Sequence, residues 1–126
     1  MSSGTILVVD DYEDLRRWVA FFLRGRGYQV LQASTGKTAI QIAIGVNPNL
    51  LLLDQRLPDM DGAEVARELR KIPKTAHIPV VAWTADCSIA RRQALIKAGL
   101  HDCIQKPVSF KDLEAVINRF LPRPSA

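Results

Sequence analysis

The chain has 126 residues, 48% of them hydrophobic and 24% charged, with a formal net charge of +4. That length suggests one domain with a core large enough to fold without metal or disulfide staples, and no apolar run approaches the ~20 residues of a membrane span. The basic residues are scattered rather than interleaved with aromatics, so they read as solvated helix faces and nucleic acid is set aside as a partner.

In chain order, strand-like and helix-like runs alternate. TILVV (5–9) is an apolar, β-rich run ending on Asp10 and Asp11. Leu15, Trp18, Val19 and Phe22 then recur at helical spacing, an inward face closed by Gly25 and Gly27. Residues 28–33 read as a second strand. Residues 35–44 read as a helix stopped by Gly45 and Pro48. LLLL (50–53) is apolar throughout, as expected for a strand covered on both faces, and ends on Asp54. QRLPDMDG is a loop by its Pro and Gly. A third helix spans 63–71, with Val65, Ala66 and Leu69 inward. A strand follows at 79–82, ending at Trp83 and Thr84, and a helix at 88–98 is closed by Gly99. A short strand at 103–105 ends at Lys106-Pro107. Ser109 caps a last helix, with Asp112 at the capping-box position and Phe110, Leu113, Ile117 and Phe120 inward. The alternation is (βα)₅, an α/β fold with a parallel sheet, right-handed crossovers and helices on both faces.

In such a sheet the C-terminal strand ends share one edge, where ligands bind. Asp10, Asp11, Asp54, Thr84 and Lys106 all fall there. Clustered carboxylates need a cation, and oxygen ligands without paired His or Cys favour Mg²⁺, Mn²⁺ or Ca²⁺ over zinc. Such an ion beside a lysine and a hydroxyl suits phosphoryl transfer, with a carboxylate nucleophile giving an aspartyl phosphate. Trp18 and Phe22 are expected in the core, Trp83 partly exposed near the site, and His77 and His101 at the surface. Gly25-Arg26-Gly27 follows a helix, so it is a helix stop and no dinucleotide loop.

VVDD (8–11), LLLLD with the downstream LPDMDG (50–62), WTA (83–85) and KP (106–107), in that order at strand ends, resemble the receiver domain of response regulators in two-component signalling, in its single-domain, chemotaxis-regulator-like form. The resemblance covers the chain, 1–126, with a core of about 5–121 and a frayed tail at 122–126. It implies a flavodoxin-like doubly wound sandwich with strand order 2-1-3-4-5. It implies Asp54 as phosphoacceptor. Mg²⁺ (or Mn²⁺) would be held by Asp11, Asp54 and the backbone carbonyl of Arg56, with Asp10 acting directly or through water. Thr84 would hydrogen-bond the phosphoryl group and Lys106 pair with it. Pro58 and Gly62 would shape the neighbouring loop, and Pro107 would follow a cis peptide bond. The implied partners are a sensor histidine kinase or phosphotransfer protein as donor and a downstream protein target, with no membrane. MSSGT has no signal-peptide pattern, so the expected location is the cytoplasm.

This sequence departs from the family pattern at Cys103, where an aromatic residue is usual. A thiol cannot fill that pocket, so switching is expected to depend on the loop after Thr84. Cys87 begins the segment after Thr84, which raises redox coupling to Cys103. Two cysteines make no secreted disulfide framework, however, and cytosolic thiols mostly stay reduced. Arg56 and Asp86 flank the entrance to the site and are expected to meet across it, obstructing the hydrolytic water. Two rival functions are weighed. A Mg²⁺-dependent phosphatase would need a second aspartate two residues after its nucleophile, but Gln55 and Arg56 follow Asp54. A passive scaffold would not need Asp54, Asp11 and Lys106 together. The chain is thus expected to be a phosphoryl acceptor rather than a multiple-turnover enzyme, either a stand-alone regulator or a piece of a larger protein.

Overall fold

The computed structural model describes residues 4–121; the tail expected at 122–126 lies outside them. The elements are β1 (Thr5–Val9), α1 (Glu13–Gly25), β2 (Gln29–Ala33), α2 (Gly36–Val46), β3 (Leu50–Asp54), α3 (Gly62–Lys71), β4 (Val80–Thr84), α4 (Ile89–Lys97), β5 (Asp102–Gln105) and α5 (Phe110–Phe120). All strand pairs are parallel, in the order β2-β1-β3-β4-β5. The strand order reverses between β1 and β3, so the loops after these two strands diverge to opposite faces and leave a crevice.

The central position of β3 explains its composition. Leu50, Leu51, Leu52 and Leu53 are all fully buried and alternate between two cores, one on each face of the sheet. Burying each such side chain contributes roughly 1.5–3 kcal/mol. Leu51 and Leu53 pack with Val65, Leu69 and Ile78 on one face, and Leu50 and Leu52 with Val19, Leu23 and Leu113 on the other. Asp54 continues the strand, paired with Trp83 of β4, so its backbone is as fixed as the core beneath it.

Local signals set most helix ends. Thr35, Asp61, Ser88 and Ser109 each accept the backbone N–H three residues on and so cap α2, α3, α4 and α5. Gly27 takes a φ of 95° after α1. The expected stop at Gly45 is not used: α2 runs on to Val46 and ends where Asn47 adopts a left-handed φ of 55°. Gly45 tolerates a helix interior, whereas Asn is one of the few other residues that readily enter that region.

Three expectations about burial are corrected. Trp18 and Phe22 pack against the core as expected but are only partly buried, and Phe110 is half exposed; their rings stack on one another at the rim between α1 and α5, with centroids 4.4–6.5 Å apart. Trp83 is fully buried. His77 is exposed as expected, but His101 is partly buried. Its Nδ1 accepts the Val80 N–H at 3.2 Å, and its ring meets Phe120 edge-on.

Burial, then the charges of Arg70 and Arg119, hold the His101 pKa below its ordinary 6.5. The folded state therefore prefers the neutral ring, while the unfolded chain takes up a proton near 6.5. Stability falls as pH drops through that value and stops falling on this account below the folded pKa. His101→Gln should accordingly lose less stability than the parent between about pH 7.5 and about pH 5, measured by urea unfolding at each pH.

Candidate functional site

The adjacent aspartates after β1 have different environments. Asp10 is fully buried, whereas Asp11 is exposed. Asp10 accepts the Trp83 indole N–H at 2.8 Å and the Tyr12 backbone N–H at 2.9 Å. Arg16 reaches back to the Asp10 carbonyl at 2.8 Å. Burial is the main cause that raises the Asp10 pKa; the two N–H donors oppose it, the charge of Asp54 adds to it and that of Lys106 relieves it. The signal for the Trp83 partnership was faint in the sequence, because Asp10 and Trp83 are separated by 73 positions.

Asp10, Asp11 and Asp54 each place a carboxylate oxygen within 4.8 Å of the others. Between the two buried members, Asp10 and Asp54, the repulsion is about 3 kcal/mol at an effective dielectric of about 20. Lys106 offers one compensating charge, its Nζ lying 3.1 Å from Asp54 Oδ2. The other Asp54 oxygen accepts the Arg56 N–H at 3.0 Å. Three carboxylates against one ammonium leave net negative charge, and an all-oxygen donor set fits a hard divalent cation.

Thr84 ends β4 and is buried, and its hydroxyl oxygen accepts the Asp86 N–H at 3.2 Å. It lines an open cleft of about 600 Å³ with Asp54, Arg56, Asp86, Arg91 and Lys106. Lys106 enters the cleft just before a cis Lys106–Pro107 peptide. The loop after β3 is tied down twice. Gly62 N–H bonds to the Gln55 carbonyl at 2.9 Å. Asp59 takes the Gly36 and Lys37 N–H groups at 2.8 and 2.9 Å, and these two bonds hold its pKa below the usual carboxylate value. A Cβ on Gly62 would lie 2.6 Å from the Gln55 side-chain oxygen, so a larger residue there would make the Gln55 side chain shift.

Two expectations are corrected here. Arg56 and Asp86 line one cleft, but no ion pair joins them among the described residues. The Asp86 carboxylate instead accepts the Ser88 N–H at 3.0 Å, a local turn bond that competes with a distant guanidinium. Cys87 and Cys103, expected as reduced thiols, form a disulfide with Cα atoms 6.0 Å apart. They stand sixteen positions apart in the chain, yet β5 runs beside β4 and returns Cys103 next to Ala82, close to the segment that carries Cys87.

A family model described as "Response regulator receiver domain" matches residues 6–118. The chain belongs to the response regulator receiver domain family. It is thus a phosphorylatable domain of two-component signalling. The receiver domain of a sensor histidine kinase from Pseudomonas aeruginosa PAO1, with a magnesium ion coordinated in its active site cleft, is 29% identical with a TM-score of 0.83, covering 93% of this chain and 96% of that one. Chemotaxis response regulator CheY4 of Vibrio cholerae is 25% identical with a TM-score of 0.88, covering 94% of this chain and 98% of that one. A probable transcriptional regulator, ycf27, of Cyanophora paradoxa is 40% identical over 94% of this chain. This receiver domain spans about half the length of that relative, 48%. Among the described residues no helix is long and apolar enough to cross a membrane.

Trp83→Phe keeps one aromatic ring but leaves a small void in place of the five-membered ring and leaves the fully buried Asp10 without its indole donor. The variant should lose about 1–3 kcal/mol of stability by urea unfolding. A loss near zero would show that the indole N–H contributes nothing there.

Proposed function

We propose that Asp54 is the phosphoacceptor of this receiver domain and that Asp10, Asp11 and Asp54, with the backbone of Arg56, hold Mg²⁺ beside it. The observation that supports this most is the Lys106 ammonium 3.1 Å from Asp54 Oδ2, at a carboxylate cluster whose charge it only partly offsets. Bound Mg²⁺ would screen the incoming phosphoryl oxygens from the carboxylates.

The residues of the chain divide the remaining work. An Asp54 oxygen attacks phosphorus in line with the leaving group, the imidazole nitrogen of a kinase phosphohistidine or the carboxylate oxygen of acetyl phosphate. The phosphorus–oxygen bond to Asp54 forms as the bond to the leaving group breaks. Lys106 transfers its contact from the carboxylate to a phosphoryl oxygen, and the Thr84 hydroxyl donates to another. Neither needs to lose a proton, because Asp54 attacks as a carboxylate. Arg56 and Gln55 follow Asp54 and supply no general acid, so one acyl phosphate per chain, slowly hydrolysed, is the expected chemistry rather than multiple turnover. A sensor histidine kinase or phosphotransfer protein is the donor class, a downstream protein reads the phosphorylated surface, and the cytoplasm is the compartment in which these partners meet.

With Mg²⁺ and acetyl phosphate the protein should gain one acid-stable, base-labile phosphoryl group, and Asp54→Asn should gain none. Undiminished incorporation in Asp54→Asn would remove the assignment. Because Asp86 is engaged at Ser88, Arg56→Ala and Asp86→Ala should change the rate of phosphate loss independently, so that the double variant shows the product of the single fold-changes. Arg56→Ala should be the faster of the two singles, since it removes the longer of the two side chains that line the cleft.

A further inference from the structure

We propose that Cys87 and Cys103 are a redox modification site, opened by low-molecular-weight thiols and closed by low-molecular-weight disulfides, whose state sets how long the phosphoryl group is held. The second half of the proposal rests on the function proposed above.

The two sulfurs differ in access. Cys103 lies in β5 and is buried, packed within the core on one face of the sheet. Cys87 is only partly buried and stands one residue before Ser88, the N-cap of α4. Arg92 Nη2 lies 3.5 Å from Cys87 Sγ. The Asp102 carboxylate tempers that charge through a 3.0 Å contact with Arg92, but it also binds Arg119, so two guanidinium groups share one carboxylate. Asp86, the other neighbouring acid, is turned to the Ser88 N–H. A guanidinium and a helix N-terminus both favour a thiolate at Cys87.

The chemistry follows from this asymmetry. A thiolate RS⁻ attacks Cys87 Sγ, the bond to Cys103 breaks, and Cys103 leaves with the electron pair and takes a proton. A second RS⁻ attacks the mixed disulfide, releasing RSSR and the Cys87 thiolate. Two electrons pass from two RSH to the protein. Closure is the reverse: Cys87 attacks RSSR, and Cys103 then displaces RS⁻ from Cys87.

The disulfide fastens the segment that walls the phosphoryl cleft. Thr84, Ala85 and Asp86 line the cleft, and Cys87 follows directly. Gln105 already bridges that segment to β5, its side-chain oxygen accepting the Cys87 N–H at 2.7 Å and its amide donating to the Ala85 carbonyl. Lys106, next in the chain, contacts Asp54. With the disulfide closed, the segment is tied to β5 covalently as well as through Gln105, and cannot close around a phosphoryl group. Reduction leaves Thr84 on the β4–β5 ladder, but it leaves Ala85 and Cys87 tied to β5 through the Gln105 side chain, by bonds that can rearrange.

The experiment uses the intact protein in a series of reduced and oxidised glutathione. Alkylation of free thiols and intact mass should show one two-electron transition, from two alkylated thiols to none. Cys87→Ser and Cys103→Ser should each abolish it. In Cys103→Ser, where Cys87 is free, Arg92→Gln should slow iodoacetamide alkylation of Cys87 at neutral pH at least threefold. Phosphoryl decay, followed after removal of acetyl phosphate, should be at least threefold slower in the dithiol form than in the disulfide form. Two free thiols at every glutathione ratio would overturn the site, whatever the phosphorylation result. Equal decay in the two redox states would overturn its effect on phosphoryl retention. A full redox transition without phosphoryl incorporation in either state would overturn the phosphoacceptor reading and the retention effect, leaving the thiol pair in place.

Discussion

Burying an ionised carboxylate is costly unless it receives donors or a cation, and Asp10 is fully buried. The sheet meets that cost from both sides. The turn after β1 supplies the Tyr12 N–H, and β4, two strands away, supplies the Trp83 indole N–H. The Trp83 ring in turn fills the core beneath, packed with Ile104 and Leu113. The carboxylate thus links the strand ends to the hydrophobic layer: moving β4 relative to β1 would break a buried hydrogen bond and open the core at once. That rigidity keeps Asp54, on the strand between them, within reach of both Asp10 and Lys106.

The site then divides into a stiff half and an adjustable half. Asp54 and Trp83 belong to packed strands, and Asp10, fully buried, directly follows one. The loops carry the adjustable half. The loop after β3 is pinned by Asp59 to the start of α2, and the loop after β4 is held to β5 by Gln105 and the disulfide. A charge change at Asp54 can be answered only by the second half, because only there are the restraints few and local. At Cys103, where the family resemblance implies an aromatic residue, a covalent bond to Cys87 stands instead.

The same reasoning separates the two acidic neighbours of the opening turn. Asp11 is exposed and contributes charge, whereas Asp10 contributes position. A divalent ion held between them would therefore join an exposed ligand to a buried one.

The alternation of apolar runs with helical faces, the cap at Ser109, and the acids and lysine at strand ends were all legible in the sequence, whereas the caps at Thr35, Asp61 and Ser88 emerged only with the structure. Each is a local property: side-chain period, backbone donors awaiting an acceptor, or a residue at the last position of a strand. The order of the five strands came from the family resemblance, since periodicity alone does not say which strands lie side by side. What tertiary structure alone decided are relations between distant residues. Trp83 is buried in the core with Ile104 and Leu113, where its N–H meets Asp10. Trp18, Phe22 and Phe110 stack at a rim because α1 and α5 meet there instead of enclosing them. Arg56 and Asp86 form no ion pair among the described residues, and an Asp86 oxygen takes the Ser88 N–H of its own turn. Cys87 and Cys103 meet because β5 returns beside β4. A sequence states which groups exist and how they are spaced along the chain; which of two available partners a group takes depends on distances that exist only after the sheet has formed.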